Sequence, residues 1–243
     1  MKTTIIGIDC AAQARKTGLA RGVFEDGAAR VAEVVLGSTR EALVDTLAAW
    51  ISLTPNALLA LDAPLGWPQE MGERLSAHRA GEGIRAKPND LFRRVTDDKI
   101  YIEFGKRPLE VGANLIARTA VMALNTLEEL RKRTGESLDL AWEPGLVQVT
   151  GAIEVYPAVT LLSYGISVPG YKKRDGGEAR RELLDLLGEC IALPQDTSLM
   201  EQNDDLLDAA ICVLAGADFL RGEVYKPGDL ELAKKEGWIW VRY

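Results

Sequence analysis

Two short, almost uninterrupted apolar runs each end on an aspartate: Thr4-Ile5-Ile6-Gly7-Ile8-Asp9 and Ala57-Leu58-Leu59-Ala60-Leu61-Asp62. Apolarity that does not alternate over so short a length fits a strand buried on both faces, the interior of a sheet covered by helices. The segment between the runs relates them. Residues 18–24 and 30–35 are strand-like and flank Glu25-Asp26-Gly27, whose Asp-Gly pair signals a tight hairpin. Ser38-Thr39-Arg40-Glu41 reads as a capping box, and Leu43, Leu47, Trp50 and Ile51 recur at helical spacing, predicting a helix over 39–52 that stops at Thr54-Pro55. The order is therefore a three-stranded antiparallel meander, a helix, and a strand returning parallel to the first by a right-handed crossover.

Beyond Asp62 the pattern loosens into Gly, Pro and alternating charge over about 69–110, which reads as a helical insertion placed directly after an acid-ended strand. Residues 115–130 are amphipathic and run into Arg131-Lys132-Arg133, positive charge that suits a helix C-terminus. A strand-like run over 146–155 contains Glu154, residues 178–190 read as a surface helix, and residues 204–221 are apolar all round, as in a buried helix. Residues 237–243 alternate like an edge strand. With no internal repeat and no linker, the expectation is one α/β domain spanning 1–243.

Composition removes several chemistries. A single histidine, His78, and three cysteines without C-x-x-C spacing exclude a His- or Cys-rich zinc site, and a Ser-His-Asp triad would have to use His78. No phosphate-binding glycine loop follows a strand. No apolar run approaches the ~18–20 residues of a membrane span, and no signal-peptide pattern opens the chain, so a cytoplasmic protein without a membrane partner is expected. The net charge of −7 opposes nonspecific nucleic-acid binding by the chain as a whole.

Carboxylate is what remains. Asp9, Asp62 and Glu154 each end a strand-like run, and open sheets bind ligands beyond the carboxyl ends of parallel strands. Asp205 and Asp208 stand at i, i+3 on the last long helix, and Asp208 interrupts an apolar stretch. A buried carboxylate without a compensating cation or donors is costly by several kcal/mol. Taken singly, each acid also has a structural explanation in loop amides, capping or the helix dipole. Jointly they suit hard oxygen ligation of Mg²⁺ or Mn²⁺, one or two ions, and in-line phosphoryl chemistry. Arg93 and Arg94, in the insertion, are the candidate phosphate contacts. Lys172-Lys173-Arg174 reads as a solvated turn.

Five ordered motifs, Gly7-Ile8-Asp9-Cys10-Ala11, Leu61-Asp62-Ala63-Pro64-Leu65-Gly66-Trp67-Pro68, Arg94-Val95-Thr96-Asp97, Glu154-Val155-Tyr156-Pro157 and Asp204-Asp205-Leu206-Leu207-Asp208-Ala209, make the chain resemble domain of unknown function 429. That family is regarded as predicted nucleases of the RNase H-like fold. The resemblance implies a mixed five-stranded sheet, three strands antiparallel and then two parallel, flanked by helices. It also implies a layout similar to Holliday-junction resolvases, onto which Asp9, Asp62, Asp205 and Asp208 map. Their fourth-strand acid is Glu where this chain has the shorter Asp62, with Glu154 as the candidate for the missing reach. The implied function is metal-dependent phosphodiester hydrolysis of nucleic acid, of a type the sequence does not specify. The rivals are an actin-like or sugar-kinase-like phosphotransferase and a noncatalytic interaction module.

Overall fold

The computed structural model describes residues 2–145 and 150–243. Its sheet opens with β1 (Thr3–Asp9), β2 (Gly18–Glu25) and β3 (Ala28–Leu36), an antiparallel meander. Asp26 and Gly27 join β2 to β3 with φ of 52° and 81°, the two left-handed positions that a two-residue hairpin of this hand needs. Helix α1 (Arg40–Ile51) follows, and β4 (Ala57–Asp62) lies parallel to β1. Thr39, rather than Ser38, caps α1, its hydroxyl accepting from the Ala42 amide at 3.2 Å.

The insertion carries α2 (Gln69–Leu75), α3 (Pro88–Phe92) and α4 (Val95–Phe104). After the long α5 (Asn114–Thr134) come β5 (Asp139–Leu140) and β6 (Gly151–Glu154), then α6 (Pro157–Ser163), α7 (Gly177–Gly188), α8 (Ser198–Gln202), α9 (Asp204–Arg221) and α10 (Leu230–Glu236). The sheet order is β3-β2-β1-β4-β6-β5, with β4, β6 and β5 all parallel to β1. The described residues thus give six strands where five were expected, because the two-residue β5 adds an outer edge. Of the run expected over 146–155, residues 146–149 lie outside the described residues. The C-terminal segment is not an edge strand. It makes single bridges, Ile239 to Glu154 and Arg242 to Val224, and Trp238, Ile239, Trp240 and Val241 are all buried. Its alternation does not separate a wet face from a dry one; the segment closes over the end of β6.

Strand alternation divides the core in two. Ile5 on β1, Leu58 and Ala60 on β4 and Ile153 on β6 pack on one face with α6, α7 and α9, whereas Ile6, Ile8, Leu59, Leu61 and Ala152 pack on the other with α1 and α5. Helix α9 lies against the sheet at backbone distance. A Cβ at Gly7 would come 2.0 Å from the Ala209 carbonyl oxygen, and one at Gly18 would come 2.0 Å from that of Asp205. Glycine at these two positions is therefore a steric requirement, and it brings the first turns of α9 to the carboxyl end of β1.

Candidate functional site

Asp9 and Asp62 are register partners across the parallel β1–β4 pair. Counting by twos from Ile5 and Leu58 places both on the α9 face. Asp208 meets them from the second turn of α9, 1% exposed, and Asn203 fixes that turn by accepting from the Asp205 and Leu206 amides at 2.8 and 3.3 Å. Asp205, one turn earlier, is partly exposed and stands at the margin.

The electrostatics are those of crowded negative charge. Burial, and then Asp62 and Asp208, push the Asp9 carboxyl well above its ordinary value. Burial, and then Asp208, raise Asp62 to about 7. Neither Asp9 nor Asp62 accepts a side-chain hydrogen bond from any described residue. Asp208 differs. The Tyr171 hydroxyl donates to its Oδ1 at 3.1 Å and the Lys172 ammonium pairs with its Oδ2. Burial raises Asp208 and Lys172 pulls it back; burial lowers Lys172, but Asp208 and Tyr171 outweigh it and leave the lysine firmly charged.

Lys172 was read from the sequence as part of a solvated turn. The structure instead sends it from the segment between α6 and α7 onto the carboxylate cluster, a long-range contact with no local sequence signal apart from the unusual buried Asp208 awaiting a cation.

Two candidates are engaged elsewhere. Glu154 pairs in register with Leu61, so the alternation that turns Asp62 toward α9 turns Glu154 to the opposite face. There the Arg94 guanidinium grips it through Nη2 at 2.7 Å and Nη1 at 2.9 Å, and the Leu65 amide donates to it at 3.0 Å. Glu154 lines the same cleft as Asp62 and its charge helps to raise that carboxyl, but its own oxygens are engaged by Arg94 and Leu65. Arg94 is 1% exposed and also binds Asp97 at 2.9 and 3.3 Å, which removes it from any contact with phosphate. Arg93 is partly exposed and pairs with Glu110 at 3.1 Å.

Among the described residues no three His, Cys, Asp or Glu side chains stand in a ready metal-binding arrangement. The donor chemistry nevertheless fits a hard cation: the oxygens are all carboxylate, two of the three acids accept no side-chain hydrogen bond from a described residue, and burial followed by neighbouring carboxylates makes the ionised form of Asp9 and Asp62 costly without a cation.

The meander, the parallel crossover, the helices on both faces and the acids at adjacent strand ends define a mixed α/β protein with a carboxylate pair at one edge of its sheet. The chain belongs to the family described as Protein of unknown function (DUF429), whose model matches residues 7–232, in agreement with its five ordered motifs. Among solved structures it is similar to T. thermophilus RuvC in complex with Holliday junction substrate, at 12% identity and a TM-score of 0.33, over 89% of this chain and 94% of that one. No curated protein matches it. Among the described residues no helix is long and apolar enough to cross a membrane.

Proposed function

We propose that this protein hydrolyses phosphodiester bonds in nucleic acid with Mg²⁺ or Mn²⁺, held by Asp9, Asp62 and Asp208 with Asp205 at the margin. The observation that carries the reading is the register pairing of Asp9 with Asp62 on the α9 face, both without side-chain donors among the described residues, with buried Asp208 beside them. A structural role would give these carboxylates amides or guanidinium groups, as Glu154 has.

When bound, such ions supply an activated water and stabilise the leaving oxygen. The chain's own residues do the rest. Asp9 and Asp62, rigidly spaced by neighbouring strands, present their oxygens together. Tyr171 and Lys172 hold Asp208 in one orientation, and the half-exposed lysine keeps a positive charge at the rim where a phosphate would arrive.

The test is a melting curve in chelator and in millimolar Mn²⁺ at matched ionic strength, followed by Mn²⁺-dependent cleavage of labelled single-stranded, duplex and branched DNA and RNA. A ligand bound only by the native state stabilises it by RT ln(1 + [L]/Kd), so the wild type is expected to melt higher in Mn²⁺ and Asp9→Asn to lose most of that rise. Coincident wild-type curves without cleavage of any substrate overturn the reading.

A further inference from the structure

The basic insertion neutralises most of its own charge. Arg74 pairs with Glu70, Arg93 with Glu110, Lys99 with Glu103 and Arg107 with Asp98, and Arg94 is buried with Asp97 and Glu154. Lys106, like Arg79, Arg85 and Lys87, is exposed and makes no side-chain hydrogen bond or ion pair with any described residue, and of these four it is Lys106 that lines the cleft reaching Asp62.

Its position is specific. Lys106 lines two adjoining clefts, one of about 360 Å³ that reaches Asp62 and one of about 470 Å³ that runs along α6 to Gly170. The clefts share three residues, Lys106, Ala158 and Lys172. Two cations from separate segments thus line the region where the clefts meet, Lys172 half-exposed and paired on one side with Asp208, Lys106 without a partner among the described residues. The first cleft is otherwise walled mainly by apolar groups, among them Pro64, Pro108, Leu109, Ile116 and Ile239.

We infer that the two clefts form one track for an unpaired stretch of nucleic acid, with Lys106 and Lys172 holding a backbone phosphate at their junction and the apolar wall beside Asp62 taking the adjacent base. The inference rests on the phosphodiesterase reading and adds to it the class of substrate. The two cations supply locally the positive charge that a backbone phosphate needs to approach a rim of carboxylates. An apolar wall beside the phosphate favours a base with an open face, which a duplex keeps stacked and a single strand offers freely. Each cleft alone lies in the ~300–1,000 Å³ range that accommodates a drug-sized ligand, so two in line suit consecutive nucleotides rather than one.

The experiment is fluorescence anisotropy in chelator and in Ca²⁺ with one labelled 12-nucleotide strand, as DNA and as RNA, alone and annealed to its complement, with a nucleoside monophosphate as competitor. The single strand is expected to bind at least about tenfold tighter than the duplex, and the monophosphate to compete poorly. Lys106→Ala is expected to weaken binding severalfold and reduce the salt slope by about one phosphate contact. Leu109→Glu places a charge on a wall residue that is 66% exposed, so the fold should tolerate it while single-strand binding falls. Equal or tighter duplex binding, or an unchanged affinity in both variants, overturns the track and leaves the phosphodiesterase reading standing. Effective competition by the monophosphate overturns the strand as occupant in favour of a small nucleotide. Failure of the phosphodiesterase reading appears separately, as a missing Mn²⁺ melting response in the free protein.

Discussion

Two groups of acids sit at the same edge of the sheet, and the fold treats them in opposite ways. Beyond the end of β6, Glu154, Asp97 and Glu236 surround Arg94. Glu236 accepts from the Gln69 and Val95 amides at 2.7 and 2.9 Å, and its carbonyl accepts from Arg94 at 3.3 Å. That network ties β6, the start of α4 and the end of α10 together, and each of its carboxylates has donors. On the α9 side, Asp9 and Asp62 have none among the described residues, and Asp208 relies on a tyrosine hydroxyl and one half-exposed lysine. A carboxylate that holds a fold together is given partners; one left short of them keeps its charge available to something outside the chain. Asp62 and Glu154 lie on neighbouring strands one register step apart, Glu154 opposite Leu61, and that single step of alternation sorts them into the two groups.

The sharpest way to break the contrast is Arg94→Met. It leaves Asp97 and Glu154 buried without their cation, and removing one partner of a buried pair costs about 3–5 kcal/mol. Urea denaturation should show that loss with an unchanged slope. A loss below about 1 kcal/mol, typical of an exposed pair, would mean that the network is not the structural half of the comparison.

Much of the fold is legible in the sequence because local signals carry it: the Asp-Gly hairpin, the apolar runs of β1 and β4, the mostly apolar α9 beginning at Asp204. The acids at strand ends are legible for the same reason. What escapes is the partner of each. Composition and spacing treat Arg93 and Arg94 alike as phosphate contacts, and although Arg94 opens the motif Arg94-Val95-Thr96-Asp97, nothing local shows that it is buried at the N-cap of α4 while Arg93 is partly exposed. Lys172 and Asp208 meet only because Gly7 and Gly18 allow α9 to press on β1 and β2, so the contact depends on packing far from either residue. Glu154 was assigned by its place at a strand end, and its parity, which decides its face, depends on a register that pairing alone fixes.

A mid-sized effect distinguishes the two regions by pH. Asp62 titrates near 7 in the folded protein against 3.8 ordinarily, so the folded state holds the proton more tightly than the unfolded chain does. Its contribution is full below about pH 4 and is lost as pH rises toward 7. In chelator, stability should therefore fall across that window by about 1–2 kcal/mol, a figure discounted for solvent reaching the cleft. Asp62→Asn should flatten the fall, and Mn²⁺ should oppose it in the wild type. Denaturation midpoints at pH 5, 6 and 7 check this, and a wild-type profile that rises through the window would place Asp62 with the partnered acids.

The smallest effect belongs to Arg93. Its pair with Glu110 is partly exposed, with side chains 25% and 38% accessible, and exposed pairs are worth about 0–1 kcal/mol. Arg93→Ala should therefore shift the denaturation midpoint barely beyond error. Its guanidinium is already engaged by a carboxylate, so it should contribute less to nucleic-acid affinity than the unpaired Lys106 on the same insertion. The two alanine variants, titrated with salt against the same labelled strand, rank these contributions directly: a shallower slope is expected for Lys106→Ala and a near-wild-type slope for Arg93→Ala. The reverse ranking would show that charge in this insertion acts as a diffuse field, in which a pairing carboxylate matters little, and would move the phosphate track away from the junction of the two clefts.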